Sequence, residues 1–220
     1  MKTSWEIYEA LIESVDRTSR EQYELAGNTE WSSLADNDPI NPSTLEKRKA
    51  EKHFSGITVA REPFEALPGK VKAVDAVLWK EAARQSPLDL YMFASHVDGL
   101  EPGIYRLDGE EAVRATNAEL GTAEDLVLQP EFASAAAIVF IVGSIKSVTE
   151  AQGDHGYRVL LERAGAAAET VWLESLEMGY SASIFAGILP SILRGAIGVD
   201  GFTKVQLLAV AVGRQPSPSL

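Results

Sequence analysis

Along the first 26 residues Trp5, Tyr8, Leu11, Ile12 and Val15 recur at helical spacing, opposite Glu6, Glu9, Glu13, Asp16 and Arg17. The pattern predicts one amphipathic helix, N-capped by Ser4 and stopped by Gly27-Asn28. Asn28–Ser43 is rich in Asn, Asp, Ser and Pro and reads as a loop, in which Trp31 either packs or meets a ligand or partner. Thr44–His53 is strongly charged and reads as helical, and Val71, Val74, Val77 and Leu78 predict a helix over Val71–Ala83. From Leu88 the period shortens. Leu90–Ala94, Gly103–Leu107 and Ala112–Ala115 read as strands, separated by the turn signals Asp98–Gly103 and Asp108-Gly109. Ala118–Leu128 reads as a helix. Ala136–Gly143 is an unbroken apolar run rich in Ile and Val, the pattern of a strand buried on both faces. The longest helix signal is Tyr157–Met178, with Gly179 at its C′ position and an apolar stripe of Leu160, Ala164, Ala167, Ala168, Val171, Trp172 and Leu176. Ser181–Ala186 reads as a strand, Pro190–Ile197 as a short helix and Val205–Gly213 as a last buried strand. This order predicts a layered α/β or α+β domain without internal repeats.

The 220 residues suit one domain, with 45% hydrophobic and 24% charged residues, the balance of a folded chain. Twenty basic against 32 acidic residues give a net charge of −12, a field that repels nucleic-acid backbones. No cysteine is present, which excludes disulfides, thiolate catalysis and cysteine-ligated metals. The longest apolar runs are too short to span a bilayer, and the N-terminus lacks a signal-peptide core. The expectation is a soluble, cytoplasmic protein that binds neither nucleic acid nor membrane.

The three histidines, His53, His96 and His155, have no ligand spacing, so no metal site is expected. No Gly-x-Ser-x-Gly elbow, Walker loop or Gly-x-Gly-x-x-Gly fingerprint occurs. What remains is a series of weak motifs in a fixed order. Pro87-Leu88-Asp89-Leu90-Tyr91 precedes Gly99-Leu100-Glu101-Pro102-Gly103-Ile104-Tyr105-Arg106-Leu107. Gly156-Tyr157-Arg158 opens the long helix, Trp172–Gly179 closes it, Gly187 follows a strand, and Val212-Gly213-Arg214 ends the last one. Together they resemble the nitroreductase superfamily, in particular its thiazole/oxazole-forming (azoline) dehydrogenase branch, over roughly Thr44 to Pro216.

The resemblance implies an α+β fold, with a central mostly antiparallel sheet flanked by helices. It implies a dimer built on the N-terminal and long helices, either a homodimer or a heterodimer with a related subunit. The chain then divides into a dimerisation arm (1–43), the nitroreductase-like domain (44–216) and a tail (217–220). It implies FMN as cofactor, with two-electron transfer to flavin N5 from a peptide or peptide-derived heterocycle in natural-product biosynthesis. The family's Arg-x-Ser-x-Arg phosphate box looks like Arg48-Lys49-Ala50-Glu51-Lys52 here, which keeps Arg48 and Lys52 and loses the hydroxyl. Arg214 matches the terminal arginine, and arginine forks suit a phosphate. A solvated, sign-alternating helix end is the structural alternative for Arg48 and Lys52.

Ala186-Gly187 stands where a backbone N–H meets the flavin ring. Lys80–Arg84 occupies the place of the family's Pro-Ser-Ala-Gly-Gly ring loop, and Ala151-Gln152 that of its catalytic Lys-Tyr pair. Neither Ala151 nor Gln152 can act as acid or base. His155 and Tyr157 are the substitute proton carriers, or else an exposed loop histidine and a packed tyrosine. Trp5, Trp79 and Trp172 read as core or dimer-contact aromatics. Glu162, Glu169 and Glu174 read as a solvated helix face. Two rivals follow from the departures: a non-catalytic subunit that binds a partner enzyme or precursor peptide, and a flavin-independent enzyme on the same scaffold.

Overall fold

Six strands, among them the all-apolar run and a final ten-residue strand, assemble into one antiparallel sheet. In the computed structural model the described residues are 42–115 and 122–216. The predicted N-terminal helix, most of the following loop with Trp31, the start of Ala118–Leu128 and the tail lie outside them. Among the described residues the order is α1 (Pro42–Lys47), α2 (Glu62–Leu78), α3 (Lys80–Gln85), β1 (Asp89–Ala94), β2 (Gly103–Leu107), β3 (Ala112–Arg114), α4 (Ala123–Leu126) and a 3-10 turn (Pro130–Ser134). There follow β4 (Ala137–Ser144), α5 (Ile145–Gln152), α6 (His155–Glu177), β5 (Ser181–Phe185), α7 (Pro190–Ile197) and β6 (Lys204–Gly213).

The strands lie in the order β3-β2-β1-β4-β6-β5, every neighbour antiparallel. Both faces are covered, which explains why β4 is apolar throughout and not alternating. Leu90, Met92, Val139, Ile141, Val210 and Val212 face the core under α6. Tyr91, Phe93, Ile138, Phe140, Ala209 and Ala211 face the core under α4, the 3-10 turn and α7.

Along α6 the small residues Ala164, Ala167 and Ala168 let the helix settle close to the sheet, where all three are buried. Gly143 belongs to the same contact: a Cβ there would stand 2.7 Å from Leu160 Cδ1 and 3.1 Å from Leu207 Cδ1. Gly179, at φ +75°, supplies the left-handed residue that ends α6. The chain then reverses, and β5 runs back alongside the helix.

Several elements differ from the sequence expectation. The helix read over Thr44–His53 stops at Lys47, and the chain beyond runs extended past the ends of β5 and β6. Glu51 N–H donates to Ala182 O at 3.3 Å and Ser55 N–H to Arg214 O at 2.9 Å. The helix read over Val71–Ala83 starts earlier, at Glu62, and breaks at Trp79, whose φ of −137° is not helical. Leu78, one of the apolar residues whose spacing predicts the helix, is 45% exposed. Its neighbour Asp75 is buried instead, because the wholly buried Arg163 of α6 grips it. Nε donates to Oδ1 at 2.8 Å and Nη2 to Oδ2 at 2.7 Å, while Nη2 also donates to Ser86 O at 2.8 Å. Helix α5 was not foreseen. It is N-capped by Ser144, whose Oγ accepts from Ser147 N–H, and only Val148 of its eight residues is buried. Such a polar segment carries no strong periodic signal.

Candidate functional site

Three of the expected cofactor-binding residues come together at one end of β5. Arg48 follows α1 and lays its guanidinium over the Trp172 ring, Cζ 4.8 Å from the centroid. Its Nη1 stands 3.6 Å from Glu169 Oε2. Glu169 therefore meets a cation and is not simply a solvated face. Arg214 leaves the end of β6 and covers Tyr180, Cζ 5.3 Å from the ring centroid. Tyr180 is itself fixed, its hydroxyl accepting from Ala60 N–H at 3.1 Å. Lys52 is exposed on the extended strap between them. The segment 48–56 is held against this corner by the Glu51–Ala182 and Ser55–Arg214 backbone bonds, and by Phe54 packed on Gly213. The corner thus carries three cations, with the carboxylates of Glu51 and Glu169 beside them.

The other end of β5 carries Ala186 and Gly187. Five residues beyond Ser181, Ala186 lies about 17 Å along the strand from the cationic corner. Gly187 O accepts from Leu128 N–H at 2.8 Å, and the Gly187 N–H has no hydrogen-bond partner among the described residues. A Cβ at Gly187 would crowd Leu128 Cβ at 3.2 Å and Gln129 Oε1 at 3.3 Å. Because β5 runs antiparallel to α6, Ala186 stands about level with Gly165 and Ala166, taking 1.5 Å per helical residue. The stripe Tyr157, Leu161, Gly165, Ala168 and Trp172 follows i, i+4 and i+3 spacing and forms the flank of α6 on this side.

The structure does not bring His155 and Tyr157 together. They are two residues apart on α6 and so diverge by about 200° around it. His155 shares its stripe with Val159 and Arg163, the flank that meets α2 through Asp75. Tyr157 is 44% exposed on the β5 flank, about 13 Å further along the axis than Ala166. His155 is half-buried at the first position of the helix. Neither makes a side-chain hydrogen bond among the described residues. Ala151 and Gln152 close α5.

Lys80–Arg84 is not a loop but the body of α3, with Ala82 buried beneath it. Arg84 Nη2 donates to Glu81 Oε1 at 2.7 Å and holds the Glu81 carboxyl below its usual range. Among the described residues no group of three or more His, Asp or Glu gathers to hold a metal ion, and no helix is long and apolar enough to cross a membrane. Glu169, Trp172 and Tyr180 are the site residues that sequence reading missed. The stripe position of Trp172 was legible; its contact with Arg48, from a distant segment, was not.

The sequence pattern of the nitroreductase family matches residues 40–214. No curated protein matches the chain by sequence. Among solved structures, the fold is similar to a protein of Anabaena variabilis assigned to the nitroreductases, at TM-score 0.60 and 20% identity. That match covers 79% of this chain but only 38% of the Anabaena chain, so this chain spans about two fifths of its length. It is also similar to a chain of the E. coli microcin synthetase McbBCD complex with truncated pro-MccB17 bound. There the TM-score is 0.59 and the identity 12%, covering 82% of this chain and 76% of that one. A third is an Exiguobacterium sibiricum protein, likewise assigned to the nitroreductases and solved in complex with FMN. Its TM-score is 0.50 at 10% identity, covering 81% of this chain and 90% of that one. At these identities the likeness is one of fold.

Proposed function

Because the chain belongs to the nitroreductase family, we propose that it is an FMN-dependent oxidoreductase acting on a peptide or peptide-derived heterocycle in natural-product biosynthesis. The observation that carries this reading is the polarity of β5: Arg48, Lys52 and Arg214 stand at one end with Glu51 and Glu169 beside them, and at the other the Gly187 N–H has no partner among the described residues. The residues fit the group. Arg48, Lys52 and Arg214 would hold its phosphate through charge-assisted bonds. The Gly187 N–H would donate to the ring edge, beside the small, exposed Ala186. Bound there, FMN supplies two-electron redox chemistry at its ring.

The chain's own residues do the rest. Gly165 and half-buried Ile184 would offer the ring end apolar surface. Of the two proton-carrier candidates, Tyr157 stands on the flank of α6 that faces this end, while His155 stands on the flank facing α2. Tyr157 nonetheless stands about 13 Å beyond the level of Ala186, outside hydrogen-bond reach of the ring end. The peptide class of substrate is supported by the fold shared with a chain of the microcin synthetase complex. Tyr157 and Leu161, each 44% exposed, are apolar surface available for a homodimer or for a related subunit.

A second reading has its own support. Helix α3 stands in place of a glycine-rich ring loop, and the positions of a catalytic Lys-Tyr pair hold Ala151 and Gln152. These favour a non-catalytic or flavin-independent subunit that binds a partner enzyme or precursor peptide. Arg48→Ala and Arg214→Ala separate the readings. For an FMN protein each variant elutes from gel filtration at the wild-type volume but retains less FMN. Unchanged retention in both would remove the phosphate assignment.

A further inference from the structure

We propose that Trp172 and Tyr180 are positioning residues holding the two arginine forks of the anion site, and that Glu169 is a built-in competitor which a phosphate displaces from Arg48. The proposal rests on the FMN reading and deepens it. Arg48 and Arg214 come from segments far apart in sequence, yet each lies over an aromatic ring less than a tenth exposed: Trp172 at 8% and Tyr180 at 7%. A guanidinium held over a fixed ring by cation–π attraction is confined in position, while its N–H donors remain available to an anion.

Both rings are immobilised by the fold. Trp172 is packed in the core under α6, and Tyr180 is tied through its hydroxyl to Ala60 N–H. The Trp172 Nε1 is buried and makes no hydrogen bond, so the ring acts by its face alone. Glu169, three residues before Trp172, lies on the adjacent turn and meets the same guanidinium at 3.6 Å. That contact is longer than a charge-assisted fork and half exposed on both sides, so it is weak. A phosphate monoester brings more charge and three acceptor oxygens, and it replaces the single carboxylate. Glu169 thus lowers the affinity of the site for any anion, while Trp172 retains Arg48 in either state.

The test titrates the full-length apoprotein with FMN and, in parallel, with riboflavin, reading the quenching of flavin fluorescence. The difference between the two ligands reports the phosphate. Glu169→Gln is expected to tighten FMN about two- to five-fold and to leave riboflavin unchanged, the range of an exposed ion pair. Trp172→Phe keeps a ring and binds FMN like wild type, whereas Trp172→Leu loses FMN affinity several-fold and spares riboflavin. Equal weakening of both flavins by Trp172→Leu, or no gain in Glu169→Gln, overturns the proposal while leaving the FMN reading intact. A wild-type protein that binds neither flavin overturns both.

Discussion

Replacing Asp75 by Ala tests how far the placement of α6 depends on one buried ion pair. Arg163 is fully buried and spends two of its three nitrogens on Asp75 and the Ser86 carbonyl. Its Nη1 has no partner. Without the carboxylate, a buried guanidinium keeps one hydrogen bond and no counter-charge, which costs about 3–5 kcal/mol. For a unit of this size each kcal/mol lowers Tm by roughly 2–4 °C, so the fall should be about 6–20 °C. Thermal unfolding followed by far-UV circular dichroism at neutral pH measures it. Asp75→Leu combined with Arg163→Met removes both charges and should recover much of the loss, since two apolar side chains of similar size fit a dry site. A single-variant loss near 1 kcal/mol, the value of a solvated pair, would refute the burial argument. So would a double variant as unstable as the sum of its parts. The pair matters to the site because it fixes the rotation of α6, and with it which residues share the flank of Trp172.

Gly143→Ala should destabilise the protein by about 1–3 kcal/mol, because its Cβ enters the space of Leu160 and Leu207; chemical denaturation measures the loss, and an unchanged midpoint would contradict the packing. Asp200 accepts from the backbone N–H groups of Phe202, Thr203 and Lys204 and from the Thr203 hydroxyl, which hold its carboxyl far below the ordinary range. A depressed folded-state pKa gives stability that is present above the unfolded value, about 3.9, and is lost only as pH falls through the folded one. The Phe202 and Thr203 amides should therefore keep their protection from exchange well below pH 4 and lose it in stronger acid. In Asp200→Asn that acid transition should be absent.

The legible parts of the fold are those with a local cause. The Ile/Val run of β4 needs only two covered faces, and the end of α6 needs only Gly179. The Pro190–Ile197 helix was read to its bounds. What escaped depends on distant partners. Asp75 carries no signal in its own helix, because the partner that buries it, Arg163, lies 88 residues away. The strap after Lys47 looks like a charged helix, yet its hydrogen bonds are taken by β5 and β6. At the site, Arg48, Lys52 and Arg214 were named and stand in one corner. The aromatic plates beneath the two arginines were not foreseen, because no spacing in the sequence announces a contact between α1, α6 and the end of β6. The divergence of His155 and Tyr157 follows from helical periodicity alone, once α6 is known to start at His155 and not at Tyr157.

The most direct measurement is FMN uptake by the purified full-length protein, by absorbance after removal of free flavin. Bands near about 370 and 450 nm, at close to one FMN per chain and diminished in Arg214→Ala, are the predicted result. A colourless protein that takes up no FMN when it is supplied in excess would contradict the central claim and leave the repurposed-subunit reading in its place.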